Sequence, residues 1–232
     1  MTSLAGSSIL VVGATGGLGR QIAHILAAEG ALLTLHGRTT ERLAALGIDG
    51  ARVTGDLRDA GTAADLVAAA LNAHGRLDGV VNAAGVVAFG PMAEVSDDTI
   101  DTLMAVNAAA PMRLLRAAYP ALIESSGNHR DPFVLTLSGV VSESPTANMA
   151  AYSASKAALA AFAKAAGRET RRDGIRFVDA RPGHTETGLA TRPIQGSAPR
   201  LPAGYSPADV ARRVVDAIIA GERDLPSTAF AS

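Results

Sequence analysis

Tyr152 and Lys156 stand four residues apart in Tyr152-Ser153-Ala154-Ser155-Lys156, at the start of an alanine-rich stretch. Residues at i and i+4 share a helix face, so a helix here makes the phenol and the ammonium neighbours. A free phenol gives up its proton only near pH 10. A positive charge about 4 Å away, at an effective dielectric near 20, contributes on the order of 4 kcal/mol, equivalent to roughly three pKa units. On that expectation Tyr152 is an acid or base able to exchange a proton near neutrality. The spacing Y-x-x-x-K is common by chance, so the pair carries weight only in company.

Such company begins with Gly13-Ala14-Thr15-Gly16-Gly17-Leu18-Gly19, which follows an apolar run and precedes a helical pattern. A strand, a tight glycine turn and a helix N-terminus together form a diphosphate site, because unpaired N–H groups and the helix dipole face the anion. Gly13 makes the turn, Gly17 permits close approach and Gly19 lets the helix sit on the sheet, with Thr15, Gly16 and Leu18 completing the loop. The spacing G-x-x-x-G-x-G is one residue longer than the common dinucleotide fingerprint. At the end of the second strand, where a 2′-hydroxyl reader would be acidic, the chain has His36-Gly37-Arg38. A guanidinium matches a phosphate, which favours NADP over NAD, although an arginine that solvates the next helix leaves the same sequence. In Gly55-Asp56-Leu57, Asp56 is placed to accept from an adenine amino group, a turn-forming Asp being the alternative.

These residues need a scaffold, and the hydrophobic pattern supplies one. Strand candidates are Ser8–Val12, Leu32–His36, Ala51–Thr54, Gly79–Val81, Phe133–Leu137 and Ile175–Ala180. Between them run helical candidates near Gly17–Glu29, Thr40–Leu46, Ala60–His74, Asp97–Ser125, Ala151–Asp173 and Pro207–Ala220. Strands without a polar face belong in a sheet covered on both sides. Regular alternation predicts an α/β fold: one Rossmann-like domain over residues 1–232, a doubly wound parallel sheet of about seven strands with helices on both faces. The irregular stretch 183–206 is long for a compact domain and reads as a substrate lid.

Composition narrows the function classes. The chain has no cysteine, which excludes disulfides, thiolate metal sites and cysteine nucleophiles, and no metal site is expected. A net charge of −1 with no basic run argues against nucleic acid and anionic membranes as partners. The start of the chain lacks a charged n-region and a long apolar h-region, and no segment reads as a membrane span, so a cytoplasmic location is expected.

Taken in order, the motifs resemble those of the short-chain dehydrogenase/reductase family over essentially the whole chain. Gly13–Gly19 is similar to its glycine motif, Asn82-Ala83-Ala84-Gly85 to its fourth-strand motif and Asn107 to its helix asparagine. Tyr152 and Lys156 match its active-site pair, and Pro182-Gly183 with Thr185 and Thr187 its motif after strand six. The resemblance implies an NADP(H)-dependent oxidoreductase, with NAD(H) less favoured, that interconverts a carbonyl and an alcohol. In it, Tyr152 exchanges the proton of the substrate oxygen, Lys156 lowers the phenol's pKa and holds ribose hydroxyls, and Asn107 fixes a relay water. Asn82, Ala84 and Gly85 brace the cofactor, and Thr187 holds the carboxamide. With the alanine-rich helices it also implies a homodimer or homotetramer.

One departure stands out. The family's catalytic serine lies thirteen residues before the tyrosine, at a position occupied here by Gly139. Ser138, one residue early, faces the opposite side of an ideal strand, though a bulge at Gly139 re-aims it. Three readings stay open: Ser138, Ser142, or no serine donor. Pocket candidates are Phe89, Met92, Ser144 to Met149, and Leu189, Ile194, Leu201 and Tyr205 of the lid. Arg192 and Arg200 read as solvated loop charges, and His184 as either a substrate contact or a packing residue. These point to a small, fairly apolar substrate. Two rivals remain: a cofactor-binding sensor or scaffold with vestigial catalysis, and nucleotide-sugar chemistry on the same fold, whose relatives carry a larger C-terminal domain.

Overall fold

The computed structural model describes residues 2–230, so Met1 and the last two residues of the 1–232 reading lie outside the described part. Seven strands form one parallel sheet: β1 Ser8–Val12, β2 Leu32–Gly37, β3 Ala51–Thr54, β4 Gly79–Asn82, β5 Phe133–Leu137, β6 Arg176–Ala180 and β7 Asp224–Leu225. Their spatial order is β3-β2-β1-β4-β5-β6-β7. The chain reverses direction across the sheet between β1 and β4, and ligands of such sheets bind in the crevice outside the strand ends at that point.

Helices α1 Gly17–Ala28, α2 Thr40–Ala44 and α7 Pro207–Ala220 cover one face. The other carries α3 Thr62–His74, α5 Ala110–Gly127 and α6 Ala150–Glu169. Strand β1 shows why its sequence lacks a polar side. Ile9 and Val11 pack among residues of α1 and α7, while Leu10 and Val12 pack against α3 and α5, all at 0% exposure. Each such side chain contributes about 1.5–3 kcal/mol on burial, so the strand has no position to spare for water.

Three sequence expectations need correction. Strand β7, two residues long, did not figure among the named strands. It exists because Asp224 and Leu225 pair with Asp179 and Ala180 of β6. The stretch 97–125 is not one regular helix: α4 Asp97–Met104 runs into a π turn, Ala105–Ala109, before α5. The π turn has a physical cause in Asn107, whose Oδ1 accepts from Val86 N at 2.9 Å and whose Nδ2 donates to Val86 O at 2.9 Å. Side-chain bonds to a distant backbone hold the extra residue that an α turn would expel, and such bulges recur at functional sites. Finally, α6 ends at Glu169, and Thr170–Asp173 tightens into a 3₁₀ turn before Gly174 at φ 73°.

Candidate active site

A cavity of about 660 Å³ opens at the carboxyl ends of the strands. Its wall takes one segment after another from the strand ends: Gly13 and Thr15 to Leu18 after β1, Gly37 and Arg38 after β2, and Gly55 to Arg58 after β3. Ala83 to Val87 follow β4, Ser138 to Val141 follow β5, and Pro182 to Thr185 with Thr187 follow β6.

The glycine turn is built for close approach. Gly13 has φ +79°, and a Cβ there would lie 2.7 Å from Ala84 N. A Cβ on Gly17 would meet Thr187 Cβ at 2.4 Å, so the start of α1 is pressed against the segment after β6. Gly19 does not line the cavity; its missing Cβ makes room for Gly13 O, the helix-on-sheet role the sequence assigned to it. Gly16, the N-cap of α1, carries no side-chain cap, which leaves the first N–H groups facing the cavity.

His36, passed over in the sequence, supports this turn from beneath. Gly13 N donates to Nδ1 at 3.4 Å, so Nε2 carries the proton and donates to Gly55 O at 3.2 Å. Burial lowers the imidazole's pKa from 6.5, opposed by the Gly55 bond and the charge of Asp56. Arg38 lines the cavity and makes no ion pair among the described residues. Asp56 also lines it, with its carboxylate clasped by Arg58 at 2.7 Å. Arg42, beside them, reaches Thr15 O at 3.4 Å.

At the other end of the cavity, Tyr152 and Lys156 lie on the first turns of α6, at 9% and 6% exposure. Tyr152 belongs to an apolar cluster with Val87, Phe89 and Leu103. That environment overturns one expectation: burial pushes the phenol up to about 12, with no lowering by Lys156. The lysine's Nζ donates to Leu137 O at 2.8 Å. Burial draws Lys156 down to about 8, against the upward pull of the Asp179 charge. Gly85 keeps the ground beside it open, since a Cβ there would sit 3.2 Å from Nζ.

Asn107 is fully buried and does not line the cavity. Besides its two bonds to Val86, Nδ2 donates to Ser155 Oγ at 3.0 Å, and Ser155 Oγ donates to Tyr152 O at 2.7 Å. Both amide protons and one lone pair of its oxygen are thus engaged in tying the π turn to α6 and to Val86. Ser155, which the sequence reading left aside, is the link. Asn82 is likewise outside the cavity wall, at 2% exposure and with Nδ2 unpartnered, because the end of β4 lies between Val12 and Thr136.

The serine question takes a definite shape. Ser138 is fully buried and its hydroxyl donates to Asp179 Oδ2 at 2.6 Å. Ser142 Oγ lies 2.7 Å from Gly139 O and 3.2 Å from Ser138 Oγ, and it is not part of the cavity wall. Gly139, at φ +76°, carries no side chain to offer. Both hydroxyl protons are therefore committed to protein acceptors. Asp179 itself went unremarked in the sequence, although a lone carboxylate inside Ile175–Ala180 is a signal that such a strand hides a polar cluster.

Among the pocket candidates, Phe89, Thr146, Met149, Leu189, Ile194, Leu201, Arg192 and His184 line the cavity. Met92 does not: it projects into solvent at 78% exposure from the 3₁₀ turn Met92–Glu94. Ser144, Tyr205 and Arg200 also lie outside the wall. The segment 183–206 is pinned at two places. Thr185 bridges Tyr205 near its ends, and Gln195 anchors its middle, accepting from Ser96 N at 3.1 Å and donating to Glu94 O at 2.7 Å. Among the described residues there is no metal-binding cluster, and no helix is long and apolar enough to cross a membrane.

The family model described as short chain dehydrogenase matches residues 7–196. Dehydrogenase/reductase SDR family member 7B of Mus musculus is 30% identical over 96% of this chain and 73% of its own length. A Streptomyces virginiae protein, the monensin polyketide synthase putative ketoacyl reductase, is 33% identical over 85% of this chain and 78% of its own. Among solved structures, a dehydrogenase/reductase from Sinorhizobium meliloti superposes with a TM-score of 0.82 at 28% identity, covering 99% of this chain and 98% of that one. A metagenomic short-chain oxidoreductase in complex with NADP gives 0.78 at 31% identity, with 97% and 98% covered. A Burkholderia phymatum enzyme in complex with NAD gives 0.85 at 22% identity, with 98% and 90% covered, a likeness of fold.

Proposed function

The chain belongs to the short-chain dehydrogenase family, and from that premise we propose that it is an NADP(H)-dependent oxidoreductase interconverting a carbonyl and an alcohol on a small, largely apolar substrate. The observation that carries this is one continuous cavity with the glycine turn and Arg38 at one end and Tyr152 and Lys156 at the other. A dinucleotide fits the residues present. Gly13, Gly16 and Gly17 leave the backbone open to a diphosphate, and Thr15, Arg38 and Arg42 surround the place for a 2′-phosphate. Asp56 and Leu57 would flank the adenine, while Ala84, Gly85, Pro182, Gly183, Thr185 and Thr187, which line the same cavity, would hold the nicotinamide end. The bound cofactor supplies or accepts a hydride. Arg38, which makes no ion pair among the described residues, is what favours NADP over NAD.

The chain's own residues do the rest. Tyr152 gives its proton to the substrate oxygen in reduction and takes it back in oxidation. The apolar wall of Val87, Phe89 and Leu189 around it excludes water, so that transfer is confined to the bound substrate. Lys156, its Nζ held at the end of β5 by Leu137 O, would hold the ribose hydroxyls of the bound cofactor. The segment 183–206 acts as the lid, its apolar side formed by Leu189, Ile194 and Leu201. A weakly catalytic, cofactor-binding role is the second reading, favoured by the commitment of Ser138 and Ser142 to protein acceptors.

Tyr152→Phe decides between them. Its hydroxyl makes no hydrogen bond within the described residues, so the variant keeps its melting temperature and NADPH affinity. Turnover over a carbonyl panel, followed by NADPH absorbance, falls by roughly 10²–10⁴. Near-parental turnover in the variant refutes the assignment, and NADPH binding without turnover in the parent supports the second reading.

A further inference from the structure

Lys156 is buried, and its one hydrogen bond among the described residues goes to a neutral carbonyl, Leu137 O, at 2.8 Å. Leu137 lies between Thr136 and Ser138, and both of those hydroxyls donate to one carboxylate: Thr136 to Asp179 Oδ1 at 2.7 Å, Ser138 to Asp179 Oδ2 at 2.6 Å. Thr136 and Asp179 are register partners across β5 and β6. By alternation they share the sheet face of Val134 and Phe177, the face that α5 and α6 cover, and Lys156 descends from α6. A carboxylate at 7% exposure is costly to bury, yet two oriented hydroxyls hold it in place.

Arg181 Nη1 also reaches Asp179, at 3.1 Å, but that guanidinium is shared with Glu143 and with Asp224, the latter at 2.7 Å. Three carboxylates thus surround one arginine, and the cluster has negative charge left over. The other groups facing this region are Tyr152 on α6, Asn107 in the π turn and His184 after β6.

We propose that Asp179 is a positioning residue for the Tyr152–Lys156 pair: a carboxylate fixed on β6 by Thr136 and Ser138 that holds the buried Lys156 side chain in its charged form. This rests on reading Tyr152 and Lys156 as the proton-transfer pair, since the charge on Lys156 bears on chemistry only there. It also gives Ser138 a task in place of contact with substrate, that of orienting the carboxylate. The charge of Asp179 opposes the effect of burial on Lys156, as the role requires.

The chain has two lysines, Lys156 and Lys164, so Lys164→Arg leaves one, and the NMR shift of its labelled ε-carbon titrates Lys156 directly in the full chain. In that background Asp179→Asn, which keeps the shape but removes the charge and exchanges one acceptor oxygen for an NH2 group, lowers the titration midpoint by about 1–3 pH units. Ser138→Ala and Thr136→Ala keep the carboxylate and move the midpoint by no more than about 0.5. An unchanged midpoint in Asp179→Asn, or an equal displacement in Ser138→Ala, overturns the proposal. Should Asp179→Asn fail to fold, Arg181→Gln tests it with the opposite sign. Relieved of its competitor, Asp179 raises the midpoint, and a midpoint that stays or falls overturns the proposal as well. None of these readings needs substrate or turnover. An active Tyr152→Phe variant would therefore sink the functional reading while leaving this measurement to stand or fall by itself.

Discussion

Lys156→Met keeps the length and bulk of the side chain and removes its charge. The parent ammonium is buried, and its pKa is drawn from 10.5 to about 8. That fall corresponds to roughly 3 kcal/mol against the folded state wherever lysine is charged in both states. The loss to set against it is the bond to Leu137 O, whose carbonyl is left without a donor at a cost of about 1–3 kcal/mol. The balance runs from about zero to about 2 kcal/mol in favour of the variant. At this chain length that is a melting temperature between unchanged and about 8 °C higher at pH 7, while turnover falls by at least about 10². The pH dependence supplies the signature. Because the folded pKa lies below the unfolded one, the unfolded chain binds the extra proton between about 8 and 10.5, so the parent gains stability as pH rises through that window. The variant does not, so by the upper end of the window only the lost bond to Leu137 O remains and the variant is the less stable by about 1–3 kcal/mol. Thermal melts of both proteins from pH 7 to 10 measure it. A variant several degrees less stable than the parent, by the same margin at every pH, would refute the reasoning.

Arg38→Ala removes a guanidinium that makes no ion pair among the described residues, and calorimetry should show NADP(H) binding about 10–100-fold weaker with NAD(H) within about twofold. Equal weakening of both cofactors would remove Arg38 from the role; Gly37→Asp is the poorer probe, since a Cβ there meets Thr15 Cγ2 at 2.8 Å. His36 has its pKa lowered by burial, so the unfolded chain protonates first, and folded stability drops as pH falls below 6.5. His36→Gln keeps an acceptor for Gly13 N and a donor for Gly55 O, and its melting temperature should fall less than the parent's between pH 7.5 and 5; parallel slopes would clear His36 of that part.

The alternation of strand and helix was legible because nearly every strand residue is apolar on both faces, a pattern that admits few other folds. Tyr152 and Lys156 were legible as neighbours because the i, i+4 relation is local. Their electrostatics were not, since these depend on Val87, Phe89 and Leu103, which are brought around Tyr152 from two other elements. Strand β7 escaped for want of length: two residues carry no periodicity, and pairing with β6 alone defines them. Asn107 was found through the resemblance, but its partners, Val86 and Ser155, lie 21 and 48 residues away, beyond any local rule. Met92 was misplaced because an apolar residue after β4 reads as pocket, whereas the 3₁₀ turn rotates it outward.

The π turn at Ala105–Ala109 makes this site sensitive to length in a way it is not sensitive to composition. One surplus residue in a helix amounts to about 100° of rotation. Leu103, before the turn, packs with Tyr152 in the pocket cluster, whereas Leu114 and Leu115, after it, pack into the core beneath the sheet. The turn sets the phase between those two stripes. A one-residue deletion anywhere in that stretch leaves a helix of unimpaired propensity and hydrophobicity, yet swings α4 around its axis relative to α5 and takes Leu103 away from Tyr152. Libraries built by substitution alone never sample that failure; libraries with single deletions meet it at once.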